Sequence, residues 1–157
     1  MNRKRALATL TILLLASCLS FAGDHDGSRK CSARSVAGDW GFTLTGTVLL
    51  PTGGVPAGAV GRLTADIYGG VTGTEARNVG GGYGDETIIG SWIVNSDCTG
   101  SASADFYDLE SGKLVRTSVL TIVFDDNSKQ VRMVQKSLTL PDGTQLPVVI
   151  TVEGRKQ

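Results

Sequence analysis

The stretch that decides the fold is Trp40-Gly41-Phe42-Thr43-Leu44-Thr45-Gly46-Thr47-Val48-Leu49-Leu50. Trp40, Phe42, Leu44, Gly46, Val48 and Leu50 fall on one face of it, while Gly41, Thr43, Thr45 and Thr47 fall on the other. Successive side chains of a β-strand point to opposite faces, so this alternation predicts a half-buried strand. A helix would instead bring its apolar residues together three and four positions apart.

The same period of two continues downstream. Ala59, Gly61, Leu63, Ala65 and Ile67 alternate with Arg62, Thr64 and Asp66, and the pair Gly69-Gly70 suits a two-residue hairpin leading into a return strand over 71–79. Further strands are expected over 86–95, 100–108, 114–124, 130–140 and 146–153. The gaps carry turn residues: Asp97-Cys98-Thr99-Gly100, Glu110-Ser111-Gly112-Lys113, Asp125-Asp126-Asn127-Ser128 and Pro141-Asp142-Gly143-Thr144. All 21 glycines lie at or beyond Gly23, which favours tight turns and bent strands over helices. Eight sequential strands with short connections predict an all-β, eight-stranded antiparallel up-and-down barrel, because closure removes exposed edges. A two-sheet β-sandwich is the alternative.

Upstream of this domain the chain has a different character. Arg3, Lys4 and Arg5 precede an apolar run and the small-residue exit Ser20-Phe21-Ala22, which is the pattern of a secretory signal over residues 1–22. Leu15-Ala16-Ser17-Cys18 has the form of a bacterial lipobox, in which Cys18 would carry the lipid anchor, so two cleavage sites compete. A tether is expected over 23–35 and a single barrel domain over 36–157. These features predict an exported protein of the periplasm, cell envelope or extracellular space, touching a membrane only through a lipid on Cys18.

Export also settles the expected cysteine chemistry. With Cys18 lost or lipidated, Cys31 and Cys98 remain as one pair and are expected to form a disulfide. Removing the signal leaves 12 basic groups against 15 acidic ones, a net charge of −3, with no basic stripe. Nucleic-acid binding, which draws on clustered Lys and Arg, is thereby disfavoured. The sequence leaves the oligomeric state open.

Gly38-Asp39-Trp40 resembles the G-x-W that opens the first strand of calycins, the lipocalin and avidin superfamily. The resemblance implies that Trp40 closes one end of the barrel and that a basic residue after the last strand, here Arg155, packs on it. Neither the second lipocalin signature nor avidin's set of biotin-contacting tryptophans is present, so no ligand residues carry over. The segments Val36-Ala37-Gly38-Asp39-Trp40, Asn95-Ser96-Asp97-Cys98-Thr99-Gly100 and Leu140-Pro141-Asp142-Gly143-Thr144-Gln145-Leu146-Pro147 are similar to those of small exported bacterial proteins of unassigned function. That likeness implies fold and compartment, with no activity attached.

Chemistry-bearing motifs are few. The sole histidine, His25, sits between Asp24 and Asp26 in the tether, so the usual hydrolase triads have no base in the folded domain and no metal site is expected. Val79-Gly80-Gly81-Gly82-Tyr83-Gly84-Asp85 has the glycine content of a phosphate loop, but a strand pattern follows where a helix would be needed, which predicts a hairpin at the barrel rim. Asp125-Asp126-Asn127-Ser128 lacks the spaced ligands of a calcium loop and reads as a turn. On the third strand Glu75 and Arg77 share a face and are expected to point outward, beside Arg62 and Asp66.

Phe42, Leu44, Leu63, Ile67, Trp92 and Phe106 are the expected interior residues, with space supplied by Gly46, Gly61, Ala65, Ala102 and Ala104. A barrel of eight strands is either filled by its side chains or holds one small ligand. The sequence therefore points to an exported, non-enzymatic barrel that binds a small apolar ligand and uses no cofactor. A passive envelope or interaction module is the alternative, and a barrel-type isomerase or cyclase would require an inward polar group such as Glu75.

Overall fold

A computed structural model of the chain describes residues 30–125 and 127–157. The expected signal over 1–22, the lipobox at Cys18, His25 with most of the tether, and Asp126 lie outside the described residues.

The strands are β1 (Gly38–Leu50), β2 (Gly53–Ala65), β3 (Gly70–Val79), β4 (Gly82–Val94), β5 (Thr99–Asp108), β6 (Leu114–Asp125), β7 (Gln130–Thr139), the two-residue β8 (Gln145–Leu146) and β9 (Val148–Lys156). Each of β1 to β7 pairs antiparallel with the next, β7 pairs with β9, and β9 returns to β1. The sheet is thus a closed eight-stranded up-and-down barrel, with β8 a short addition on the end of β7. Every long strand has both edges occupied, which satisfies its backbone groups without exposing a free edge.

Turn chemistry sets the hairpins, and it differs from expectation at one of them. Gly80 and Gly81, at φ 58° and 93°, form the two-residue link between the paired residues Val79 and Gly82. This left-handed pair is the geometry that suits the twist of adjoining strands, and glycine adopts it without a Cβ penalty. The β2–β3 link is instead longer than the Gly69-Gly70 pair predicted. Asp66 accepts hydrogen bonds at Oδ1 from the backbone of Tyr68 and Gly70, at 2.7 and 2.8 Å, and only Gly69 takes a positive φ. An Asp side chain that satisfies the turn from within ends the strand early. Ile67 is therefore a turn residue, 41% exposed, and does not reach the interior expected for it.

One end of the barrel is sealed. A single helical turn, α1 (Ala33–Val36), begins at Ser32, whose hydroxyl and that of Ser35 form a reciprocal capping box. Cys31 and Cys98 are joined by a disulfide, with Cα atoms 4.9 Å apart, tying this segment to the β4–β5 turn. The part of the expected tether from Cys31 onward thus belongs to the barrel end, and Cys31 itself is buried. Beneath α1 the rings of Trp40, Trp92 and Phe124 meet at centroid distances of 5.4 to 5.9 Å. Tilted and edge-on contacts of this kind match the quadrupoles of aromatic rings. Trp40, 1% exposed, gives its indole N–H to the Val36 carbonyl at 2.9 Å.

The basic residue above Trp40 is Lys156. Its Nζ lies 6.0 Å from the Trp40 ring centroid and donates to the Ser35 carbonyl at 3.2 Å. Arg155, for which the packing role was expected, is exposed and faces away, because β9 pairs Lys156 with Trp40 and places Arg155 opposite Gly41. A shift of one residue along a strand moves a side chain to the opposite face.

Candidate functional site

Below the aromatic seal the barrel is hollow. A cavity of about 330 Å³ runs from Trp92, Phe42 and Leu63 to a mouth ringed by Leu50, Val55, Leu140 and Leu146. Of the residues expected inside, Phe42, Leu44, Leu63, Trp92 and Phe106 border this space. The space itself comes from partly different positions than expected. Ala102 and Ala104 border the cavity with Ala57 and Ala59 of β2, and Ala65 does not. The room at Gly61 is taken by the Phe42 ring, whose Cε1 would lie 2.5 Å from an added Cβ, and the room at Gly46 is taken by Ile150.

The wall also carries charge that the sequence reading placed on the surface. Glu75 of β3 points inward, its side chain 1% exposed, and its Oε1 accepts from Arg116 Nη2 at 2.6 Å. Glu86 of β4, directly opposite Glu75 in the register, is equally buried and accepts from Arg116 Nη1 at one oxygen and Arg77 Nε at the other. Arg77 reaches Glu86 across the barrel side of Gly84, where an added Cβ would stand 3.2 Å from its Nη2. The guanidinium of Arg116 sits over the Phe106 ring, with Cζ 3.8 Å from the ring centroid. Stacking on an aromatic face while forking to two carboxylates is a geometry open to Arg and closed to Lys.

The outward assignment of Glu75 and Arg77 is thus reversed. Val71, Gly73, Glu75, Arg77 and Val79 form one face of β3, and pairing with β2 and β4 turns that face to the interior. The carboxylates tolerate burial because two guanidinium groups match them, an arrangement in which removing one partner costs far more than the pair itself contributes.

Two members of the cluster, Glu86 and Arg116, carried no expectation of a site role. Glu86 shares its β4 face with Ile88 and Trp92, and Trp92 was already assigned inward, so strict alternation was the signal that would have found it. Arg116 depends on a β-bulge. Phe106 pairs with Arg116 and Tyr107 with Leu114, so Val115 is an extra residue, and Val115 and Arg116 both border the cavity. Bulges re-aim side chains in this way, and nothing in an alternating pattern announces one.

Farther round the wall, buried Gln135 of β7 donates from Nε2 to Ser118 Oγ at 3.0 Å and to the Ser137 carbonyl at 3.1 Å. Among the described residues, Glu75 Oε2 is the buried side-chain oxygen or nitrogen without a hydrogen-bond partner. Burial pushes the Glu75 carboxyl above its ordinary value, and Arg116 opposes that shift by charge and hydrogen bond. Among the described residues no cluster of His, Cys, Asp and Glu is arranged to hold a metal ion.

No family model and no curated protein sequence matches the chain. Among solved structures, the chain is similar to EF1p2_mFAP2b bound to DFHBI, at a TM-score of 0.52 and 14% identity, over 81% of this chain and 100% of that one. A likeness at that identity is one of fold, and the shared fold is the antiparallel β-barrel.

Proposed function

We propose that this chain is an exported, non-enzymatic barrel that binds one small, predominantly apolar molecule inside its cavity. The observation that carries the reading is the cavity itself: about 330 Å³, open at one end, with apolar walls and a few convergent polar groups. Binding sites for small molecules have this size and character. A passive module would gain stability by filling the same space, since unfilled volume forfeits packing. The solved neighbour was captured with the small molecule DFHBI, which supports a ligand role for a barrel of this shape. Export is supported by the leader pattern over residues 1–22 and by the disulfide.

The inward Glu75 supplies the polar group that an isomerase or cyclase would need, so the experiment must separate holding from turnover. The protein is titrated with N-phenyl-1-naphthylamine, a neutral fluorescent apolar probe, and the bound molecule is then extracted and weighed by mass spectrometry. Saturation at one probe per chain, with the probe recovered unchanged and binding weakened in Ala102→Leu, is the expected outcome. Absence of saturable binding by a folded protein leaves the passive module as the better account.

A further inference from the structure

The structure assigns a chemical class to the occupant: we infer that it is a neutral molecule whose apolar body carries one hydroxyl or N–H, donated to Oε2 of Glu75. The inference rests on the binding reading above and adds to it the group the ligand must bear. Its starting point is the buried side-chain oxygen that, among the described residues, the protein leaves without a partner. Arg116 spends Nη2 on Glu75 Oε1 and Nη1 on Glu86, and Arg77 spends Nε on the other Glu86 oxygen, so both oxygens of Glu86 and one of Glu75 are occupied. Oε2 of Glu75 is buried, partnerless and part of a residue that borders the cavity.

A carboxylate oxygen held out of water without a donor is costly, and a donor brought by a ligand recovers that cost on binding. The charge balance selects a neutral donor. Glu75 and Glu86 are matched by Arg77 and Arg116, so an ammonium group or a ligand carboxylate would leave one unmatched charge in a poorly solvated wall. An anionic head would also meet two carboxylates, because the guanidinium of Arg116 is engaged by both and covered on one face by Phe106. The rest of the lining is largely apolar, from Leu44 and Ile88 to Leu120 and Met133, and its buried polar pair, Gln135 and Ser118, is hydrogen-bonded to itself.

The test uses three naphthalenes of closely similar shape with the full chain: 2-naphthol, which donates; 2-methoxynaphthalene, which only accepts; and 2-methylnaphthalene, which does neither. All three should bind, with 2-naphthol about tenfold or more tighter than 2-methoxynaphthalene, the scale of a hydrogen bond to a charged acceptor. In Glu75→Gln the amide oxygen faces Arg116, which can only donate, and the amide N–H group takes the place of Oε2. The wall then presents a donor, and the naphthol preference should fall to about one or reverse while 2-methylnaphthalene binds as before.

Should that variant fail to fold, lowering the pH of the parent makes the same conversion, because protonating Glu75 turns Oε2 into a donor. The charged groups facing it are Arg116 on β6, Glu86 on β4 and Arg77 on β3. Equal affinity for 2-naphthol and 2-methoxynaphthalene in the parent overturns the inference, as does a preference that survives both Glu75→Gln and acidification. Failure of all three naphthalenes to bind removes the binding reading itself.

Discussion

The two halves of this barrel are built on opposite principles. At the sealed end Trp40, Trp92 and Phe124 interlock under α1, and the Trp40 indole N–H is bonded to the Val36 carbonyl. At the open end the same strands enclose about 330 Å³ of space and a charged cluster that leaves one buried oxygen unmatched. The difference teaches where this molecule keeps its stability and where it keeps its function. Density at one end lets the other remain hollow, and hollow, incompletely satisfied regions are where ligands gain most on binding.

Truncations at the two ends should therefore differ in cost. Trp40→Ala should destabilise by about 3 to 5 kcal/mol, the range for deleting a large ring from a packed core. Leu44→Ala, whose side chain already borders the cavity, should cost about 2 kcal/mol, the low end for Leu→Ala, because fewer contacts are lost. Denaturant midpoints measure both. Equal costs would show that the two halves are packed alike and would break the comparison.

A smaller effect sharpens it through pH. Glu75 is held above its ordinary value by burial, so the folded state binds more protons there than the unfolded state. Stability from this group is complete below the ordinary carboxylate value of 4.5 and is lost as the pH rises through the folded-state value. The turn carboxylates run the other way: hydrogen bonds from the Thr99 and Ser111 side chains and from the Thr144 backbone lower Asp97, Asp108 and Asp142, and their contributions fade as the pH falls. The stability difference between the parent and Glu75→Gln isolates the interior group. As the pH rises from about 4.5, the parent should lose ground against the variant, and the opposite slope would mean that Glu75 is ionised at little cost.

The smallest effect concerns the lid over Trp40. Lys156→Ala removes a cation near the ring and a hydrogen bond to Ser35, and should cost about 0.5 to 1 kcal/mol. Arg155→Ala should be nearly silent, since that side chain is exposed. A thermal melt in which Arg155→Ala falls further than Lys156→Ala would contradict the register of β9 against β1.

The strands were legible in the sequence because a period of two is imposed by the backbone, and Trp40 to Val48 follows it. The barrel followed from the short connections between them. Along β3 the same logic was obscured: Gly73 contributes no side chain, leaving Glu75 and Arg77 as the visible members of the face that Val71 and Val79 mark as interior. Charged residues read as surface unless their partners are known, and here the partners sit on β4 and β6, too far along the chain to recognise. Arg116 was further hidden by the bulge at Val115, and Ile67 by the Asp66 turn that ends β2. The choice between Arg155 and Lys156 turned on a register of one residue, which only the pairing of β9 with β1 decides.

The most direct test of the central claim is calorimetric titration of the folded chain with 2-methylnaphthalene at several temperatures, since that molecule probes the cavity without engaging Glu75. The cavity reading predicts saturation at one molecule per chain with a negative heat-capacity change, the mark of apolar surface leaving water. No saturable heat at any temperature, with the fold intact by circular dichroism, would contradict it.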